Sequence, residues 1–102
     1  MALTSKQRRH LRSLAHHLDP VATVGVNGLS GPVIAKVNEE LEHHELIKVK
    51  ISPDAPQDKR ESAGTLAERT RSELVQVIGH VAVLYKARSK KPSIKLPKAD
   101  KA

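Results

Sequence analysis

Residues 21–30 constrain the fold of this chain more than any other segment. They run Val-Ala-Thr-Val-Gly-Val-Asn-Gly-Leu-Ser, which is a short β-branched stretch, a Gly-x-x-Gly loop and the start of a helix. A helix that leaves one strand and leads into another implies a parallel strand pair with a right-handed crossover. The sequence therefore predicts an α/β protein organised around this strand–loop–helix junction.

The Gly-x-x-Gly loop, from Gly25 to Gly28, is also a candidate anion site. Both glycines lack a Cβ, so the backbone can adopt positive φ and approach a ligand closely. The first N–H groups of the following helix point towards the same place and favour a phosphate. The alternative is that the glycines only make the turn. Because Pro32 has no N–H, the predicted phosphate donors are the backbone groups of Asn27, Gly28, Leu29, Gly31 and Val33.

Apolar spacing predicts seven elements in the order α-β-α-β-α-β-β. The predicted helices cover about residues 5–18, 31–44 and, starting at 55 or 57, a third segment to 69. The predicted strands cover residues 21 to 24 or 25, 46–51, 74–78 and 81–85. Ser30 is the predicted N-cap of the second helix, and Asp54 with Gln57 resembles a capping box before the third. The expected fold is a two-layer α/β (α+β) domain, in which helices pack on a four-stranded mixed sheet.

The charge balance favours an anionic polymer as partner. The 102 residues include 18 Lys and Arg against 11 Asp and Glu, which gives a net charge of +7 and a pI near 10.0. Both ends are basic, since residues 1–18 contain no acid and residues 86–102 contain only Asp100. With one Tyr, no Trp and no Phe, the chain is a poor candidate for stacking bases on aromatic side chains. RNA binding would therefore depend on phosphates, backbone donors and RNA shape.

Length and composition also limit the architecture. A chain of this size forms one domain, which we place at residues 1–86, followed by a flexible basic tail at residues 87–102. The absence of Cys excludes a disulfide scaffold, a thiolate metal site and a Cys nucleophile. No apolar run approaches the roughly 20 residues of a membrane-spanning helix, and the N-terminus has no signal-peptide pattern. We expect a monomer in the cytoplasm.

The candidate RNA-binding residues extend beyond the loop. Cations lie on one face of the first predicted helix, on the outer face of the second predicted strand and in the basic tail, where they would add salt-dependent affinity. A solvated surface is the alternative for each group. The full set is Gly25, Val26, Asn27, Gly28, Leu29, Ser30, Gly31, Lys6, Arg9, Arg12, Lys48, Lys50, Lys86, Arg88, Lys90 and Lys91.

Six histidines suggest a metal-dependent enzyme as a further hypothesis. Side chains of adjacent pairs such as His16-His17 diverge by about 100° on a helix. Glu40 and His43 have the Glu-x-x-His spacing of di-iron helices, but that site requires the motif twice. No nucleophile elbow, Walker lysine loop, Gly-x-Gly-x-x-Gly or His-Glu-x-x-His motif is present. We therefore predict no catalytic residue, metal, cofactor or small-molecule substrate.

Four segments in order resemble the CRM domain, named after chloroplast RNA splicing and ribosome maturation, whose single-domain bacterial members are YhbY-like proteins. They are residues 11–16 (Leu-Arg-Ser-Leu-Ala-His), 24–30 (Val-Gly-Val-Asn-Gly-Leu-Ser), 41–51 (Leu-Glu-His-His-Glu-Leu-Ile-Lys-Val-Lys-Ile), and 75–79 (Val-Gln-Val-Ile-Gly) with 83–85 (Val-Leu-Tyr). The resemblance covers about residues 3–86. Arg71 departs from the pattern, because the family commonly has Gly after the third helix.

The resemblance implies a fold similar to the C-terminal domain of bacterial translation initiation factor three. It also implies RNA binding, with a loop comparable to that of KH domains, and association with precursors of the large ribosomal subunit. We therefore predict a non-enzymatic RNA-binding protein that acts on ribosomal RNA in large-subunit assembly. The alternative is a protein-interaction module, in which the second helix docks a basic ribosomal or assembly protein through Glu39, Glu40, Glu42 and Glu45.

Overall fold

The computed structural model describes residues 3–88 and 91–97. Its seven elements follow the predicted order. The helices are α1 (Ser5–Ala15), α2 (Gly31–His44) and α3 (Lys59–Thr70), and the strands are β1 (Pro20–Val24), β2 (Leu46–Ile51), β3 (Glu73–Ile78) and β4 (Val81–Tyr85). The bounds of α2 and β2 coincide with those predicted, since each has a clear apolar period.

The four strands form one mixed sheet in the order β1-β2-β4-β3. Strand β1 runs parallel to β2, with α2 as the crossover, while β4 pairs antiparallel with both β2 and β3. Residues 79–80 join β3 to β4 as a tight turn, in which Gly79 has a φ of 56°. The predicted mixed sheet and terminal hairpin are confirmed.

Helices lie on both faces of this sheet. Strands β2 and β4 each bury side chains on both faces of the sheet. On one face, Ile47 and Leu84 belong to the core cluster that includes α2 and α3. On the other face, Leu46 and Tyr85 belong to the core cluster that includes α1. Helix α1 therefore adds a layer to the two that were expected. Its Arg8 guanidinium fixes it to β3 by donating to backbone carbonyls there.

Two helix ends differ from the prediction. Helix α1 ends at Ala15, three residues earlier than expected. Helix α3 begins at Lys59 because the Asp58 carboxylate, and not an Asp54–Gln57 capping box, accepts the N–H groups of Arg60 and Glu61. Pro56 explains the later start, since the residue before a proline is displaced from helical geometry.

The turn after α3 has left-handed backbone in spite of its side chain. Arg71 has φ 55° and ψ 39°, and its N–H donates to the carbonyls of Ala67 and Glu68. A non-glycine residue in this conformation costs about 1 kcal/mol. The CRM domain commonly has Gly at this position. Arg71 therefore adopts a left-handed backbone conformation that favours glycine.

Residues 91–97, here called the strap, lie against the domain. Ile94 and Leu96 pack on the α1 side of the core, and the Gln7 side-chain amide donates to the Pro97 carbonyl at 3.1 Å. The sequence predicts a flexible tail from residue 87. The described part of that tail instead docks, because apolar residues alternate with Ser93 and Lys95 along it. Residues 89–90 and 98–102 lie outside the described residues.

Among the helices described, none is both long and apolar enough to cross a membrane.

Candidate nucleic-acid interface

The Gly-x-x-Gly loop leaves the end of β1 and enters α2. Gly28 is buried and has a φ of 66°, and a Cβ on it would come within 2.9 Å of the Pro56 ring. Gly28 is thus required by backbone conformation and by packing. A Cβ on Gly25 would meet nothing within 4 Å, and Val26 at the loop tip is 71% exposed. The open side of the loop is therefore the side of Gly25, Val26 and Asn27.

Hydrogen bonds inside the loop correct the predicted donor set. The Gly28 N–H donates to the Gly25 carbonyl at 2.9 Å, and the Val33 N–H donates to Ser30 Oγ at 3.4 Å. These two groups, which the sequence predicts as phosphate donors, are already engaged. The remaining predicted donors are Asn27, Leu29 and Gly31, whose N–H groups make no hydrogen bond within the described chain.

The start of α2 supports an anion at these free amides. Ser30 is its N-cap, as predicted, with the hydroxyl turned towards the helix interior to accept from Val33. Pro32 lies in the first turn, where a missing N–H is no loss. The exposed Gly31 N–H therefore lies at the positive end of a 14-residue helix.

Arg69 is a neighbour of the loop that sequence reasoning missed. From the last turn of α3, its Nη1 donates to the Leu29 carbonyl at 3.1 Å, and the residue remains exposed. One hydrogen bond leaves the other guanidinium N–H groups available to an anion. No local signal links positions 29 and 69, which are 40 residues apart in the chain.

The two strand lysines differ in their relation to the loop. Lys50 is exposed and pairs in register with Thr23, one position before the Val24–Ile51 pair that precedes the loop. Lys48 is partly buried and lies further along the strand, opposite Pro20. Both alternate with the residues that β2 buries under α2 and α3, so they lie on the α1 side of the sheet.

The basic residues of α1 lie at the other end of the sheet. Lys6, Arg9 and Arg12 are exposed, while α1 packs on Leu46 at the start of β2 and Tyr85 at the end of β4. The loop is next to the far end of β2, and five residues of strand span about 17 Å. Two groups of residues result: a loop surface, made of the predicted residues 25–31 and Lys50 with the additional Arg69, and an α1 surface, made of the predicted Lys6, Arg9 and Arg12 with the strap.

Two of the predicted tail cations make internal contacts. Lys86 Nζ donates to the Thr70 carbonyl at 3.2 Å, and its N–H donates to the Glu45 carbonyl at 2.8 Å. Arg88 is partly buried beside the Glu45 carboxylate, with Nη2 at 3.9 Å from Oε1. Lys91 is exposed at the start of the strap, and Lys90 lies outside the described residues.

Glu45 is a buried anion that holds the strap. Its carboxylate accepts from the N–H groups of Arg88 at 2.9 Å, Ser93 at 2.6 Å and Ile94 at 3.1 Å, and from Ser93 Oγ at 2.5 Å. Burial raises the pKa of a carboxyl group, but these hydrogen bonds, led by that of Ser93 Oγ, outweigh it and lower the pKa of Glu45 to about 2. Burial and the Glu45 charge both raise the pKa of Tyr85.

This burial weakens the protein-interaction alternative. Glu45 is fully buried, so it contributes nothing to an acidic surface on α2. Glu40 is largely covered and pairs with Lys36 at 3.3 Å and His44 at 3.6 Å. Only Glu39 and Glu42 of the four acids are exposed.

The histidines form ring contacts only in their sequence pairs, with centroids 5.1 Å apart in His16–His17 and 6.2 Å apart in His43–His44. Across residues 3–88 and 91–97, no three His, Cys, Asp or Glu side chains are grouped for a metal ion.

The described chain thus combines a mixed sheet, a Gly-x-x-Gly loop between its parallel strands, and cations on two sides. Residues 3–86 match the CRS1 / YhbY (CRM) domain. The chain belongs to this family, as its sequence motifs indicated.

Two bacterial proteins of nearly the same length are relatives of this chain. The chain is 45% identical over 95 residues to the Bacillus subtilis protein named "Probable RNA-binding protein YqeI", covering 93% of this chain and 99% of the relative. It is 42% identical over 96 residues to a Haemophilus influenzae protein named "RNA-binding protein", covering 94% and 96%. The solution structure of SAV1595 from Staphylococcus aureus is similar with a TM-score of 0.80, 47% identity and coverage of 94% and 100%. The names of the first two relatives describe RNA binding and no enzymatic activity.

Proposed function

We propose that this protein binds ribosomal RNA in precursors of the large ribosomal subunit, in the cytoplasm, and that the loop surface contacts the RNA backbone. The observation that carries the proposal is the set of three unengaged amides at Asn27, Leu29 and Gly31, at the positive end of α2. The names of the relatives support RNA as the ligand.

The chemistry of this surface suits a phosphate. Backbone N–H groups donate to phosphate oxygens without reading the base, and a helix N-terminus favours the negative charge. Arg69 and Lys50 lie beside the loop and add charge at its margins. The loop surface would therefore fix the position of an RNA segment.

Specificity would come from RNA shape. Tyr85 is the only Phe, Trp or Tyr in the chain, and it is 3% exposed in the core. No Phe, Trp or Tyr ring is therefore available on the surface, so splayed bases have none of these stacking platforms. A structured RNA that presents phosphates at the right spacing fits this interface better.

The proposal is tested by Gly31→Asp, compared with Gly31→Asn as a control of the same size. Gly31 is exposed, and a Cβ there would meet nothing within 4 Å apart from its chain neighbours. Both variants place the same Cβ before Pro32, so the cost of that contact is common to them. The acid should then make Gly31→Asp more stable than Gly31→Asn by about 0.5 kcal/mol, because a negative charge in the first turn favours the helix dipole. The same charge should weaken binding of labelled large-subunit rRNA fragments by about tenfold, because it occupies the phosphate position.

Stability and affinity should therefore change in opposite directions, which a folding defect cannot produce. Anisotropy titrations and urea denaturation measure the two quantities. Gly28→Asp is unsuitable, because its side chain would collide with Pro56 and strain the backbone. If Gly31→Asp binds rRNA fragments as tightly as Gly31→Asn and the parent, the loop is only a turn and the proposal is wrong.

A further inference from the structure

The strap runs alongside α1 in the opposite direction. Ile94 lines a groove with Leu14 and Leu18 at the C-terminal end of α1, and Pro97 accepts from Gln7 near the N-terminal end. Positions 7 and 14 are seven steps apart, which is about 10 Å along a helix, and the three steps from position 94 to 97 cover about the same length in an extended segment. The strap is therefore an extended segment laid along the helix.

This arrangement forms one basic surface from two distant parts of the chain. Ile94, Leu96 and Pro97 are partly buried, while Lys91 and Lys95 are exposed on the outside of the strap. Arg9 and Arg12 are exposed on α1, and no acid occurs in residues 1–18. Among the described residues, no carboxylate pairs with Arg9, Arg12 or Lys95.

The strap is held in place by the buried Glu45 rather than by its own cations. The Glu45 carboxylate accepts hydrogen bonds from Ser93 and Ile94. Lys91 and Lys95 make no hydrogen bond within the described chain. A flexible polycation would lose conformational entropy on binding, and a segment already fixed along a helix loses less. The α1 surface is thus preorganised to bind an extended anion.

The loop and α1 lie at opposite ends of β2, and of the loop surface only Lys50 lies on the α1 side of the sheet. Helix α1 packs at the start of β2 on one face of the sheet, whereas α2 leaves the loop to pack on the other face. The two ends of β2 are about 17 Å apart, so each surface can contact its own RNA backbone.

We propose that the α1 surface is a second RNA site, so that one copy of the protein bridges two RNA segments and holds them together. The inference rests on the proposed function, because the loop surface is the first of the two sites. RNA is favoured over an acidic protein as the ligand, because the protein would then bind the same chemical class at both ends of the sheet. Beyond binding one RNA segment, the protein would therefore hold two RNA backbones close together.

The test uses one short RNA hairpin whose sequence does not dimerise, prepared as two batches, one labelled with a donor dye and the other with an acceptor dye. Energy transfer should appear as the protein is added and should fall again when protein exceeds RNA, since each hairpin then occupies its own protein. Native mass spectrometry run in parallel shows whether the bridging particle contains one copy of the 11.2 kDa protein. The variants are Arg9→Glu with Arg12→Glu, the neutral Arg9→Gln with Arg12→Gln, Lys95→Glu, and Gly31→Asp.

The charge-reversal pair at Arg9 and Arg12 should reduce energy transfer at least tenfold, and the neutral pair should reduce it less. Binding of a single hairpin, measured by anisotropy at limiting RNA, should change by less than about threefold, because the loop surface is intact. Lys95→Glu should act in the same sense as the Arg pair, which would show that the strap belongs to the site.

Three results would overturn the inference: no energy transfer with the parent protein, energy transfer that is indifferent to the α1 variants, or bridging only by particles with two protein copies. If the Arg9 and Arg12 variants instead abolish binding of a single hairpin, the two surfaces form one site and bridging is excluded. The proposed function is judged separately by Gly31→Asp, whose failure to weaken single-hairpin binding would contradict it even if bridging were observed.

Discussion

Replacing Glu45 with Ala is expected to lower the free energy of unfolding by about 3 kcal/mol and to detach the strap. The substitution removes the acceptor of four hydrogen bonds from Arg88, Ser93 and Ile94. It also leaves the Arg88 guanidinium, whose Nε is buried without a partner, facing an apolar side chain. The donors regain partners only if the strap swings into water.

The same contact gives the protein a defined acid sensitivity. The pKa of Glu45 is lowered to about 2 from its ordinary value of 4.5, so the folded state favours the charged form. The stabilisation is fully present above about pH 4.5 and is lost as the pH falls towards 2, to a total of about 3 kcal/mol. Glu45→Gln should remove this part of the pH dependence.

Urea denaturation at pH 7 and at pH 3 measures both effects. Tyr85 is the only fluorescent aromatic residue, and it lies in the cluster that Ile94 and Leu96 cover, so its emission reports on strap docking as well. Glu45→Gln is the matched control, because its amide oxygen can still accept from Ser93 while its NH₂ group meets the Arg88 N–H donor. The loss in free energy of unfolding for Glu45→Gln is expected to lie between zero and that of Glu45→Ala. Equal stability of the parent and Glu45→Ala at pH 7 would show that the strap contributes nothing.

Raising the salt concentration from 50 to 200 mM is expected to weaken binding to rRNA fragments by about 250-fold. About five contacts between Lys or Arg side chains and phosphates give a slope near −4 for the logarithm of affinity against the logarithm of salt concentration. The exposed cations of the loop and α1 surfaces are sufficient for that number. Removing two of them with Arg9→Gln and Arg12→Gln should reduce the slope only for an RNA long enough to reach α1.

Anisotropy titrations at four salt concentrations measure this slope, with the uncharged osmolyte sucrose in place of salt as a control for viscosity and hydration. The hairpin used for bridging and a longer rRNA fragment should give slopes that differ by the number of α1 contacts. Affinity that is indifferent to salt would contradict an electrostatic interface and would point to contacts with bases.

The strand order and the central elements could be predicted because their signals are local. Helix α2 has an apolar period bounded by Ser30, and β2 alternates Ile47, Val49 and Ile51 with lysines, so both bounds coincide with the structure. The start of α3 was misplaced because two acidic residues near Pro56 could each cap it, and the choice of Asp58 depends on backbone geometry around the proline. Local patterns thus gave the elements and not every boundary.

The contacts that shape the candidate site could not be predicted, because they join distant positions. Glu45 was assigned to an acidic surface, but its partners Ser93 and Ile94 follow 48 and 49 residues later. Gly28 and Val33 were predicted as donors, whereas the loop uses both N–H groups internally. Arg69 has no pattern that connects it to Leu29. Each of these interactions depends on the tertiary packing of the sheet with its helices.

The most direct measurement of the central claim is an amide-resolved NMR titration of the ¹⁵N-labelled protein with an rRNA fragment. The account predicts that the backbone amides of Asn27, Leu29 and Gly31 shift together at the lowest RNA concentrations, while the engaged amides of Gly28 and Val33 shift less. Shifts confined to other parts of the chain, with these three amides unchanged at saturation, would contradict it.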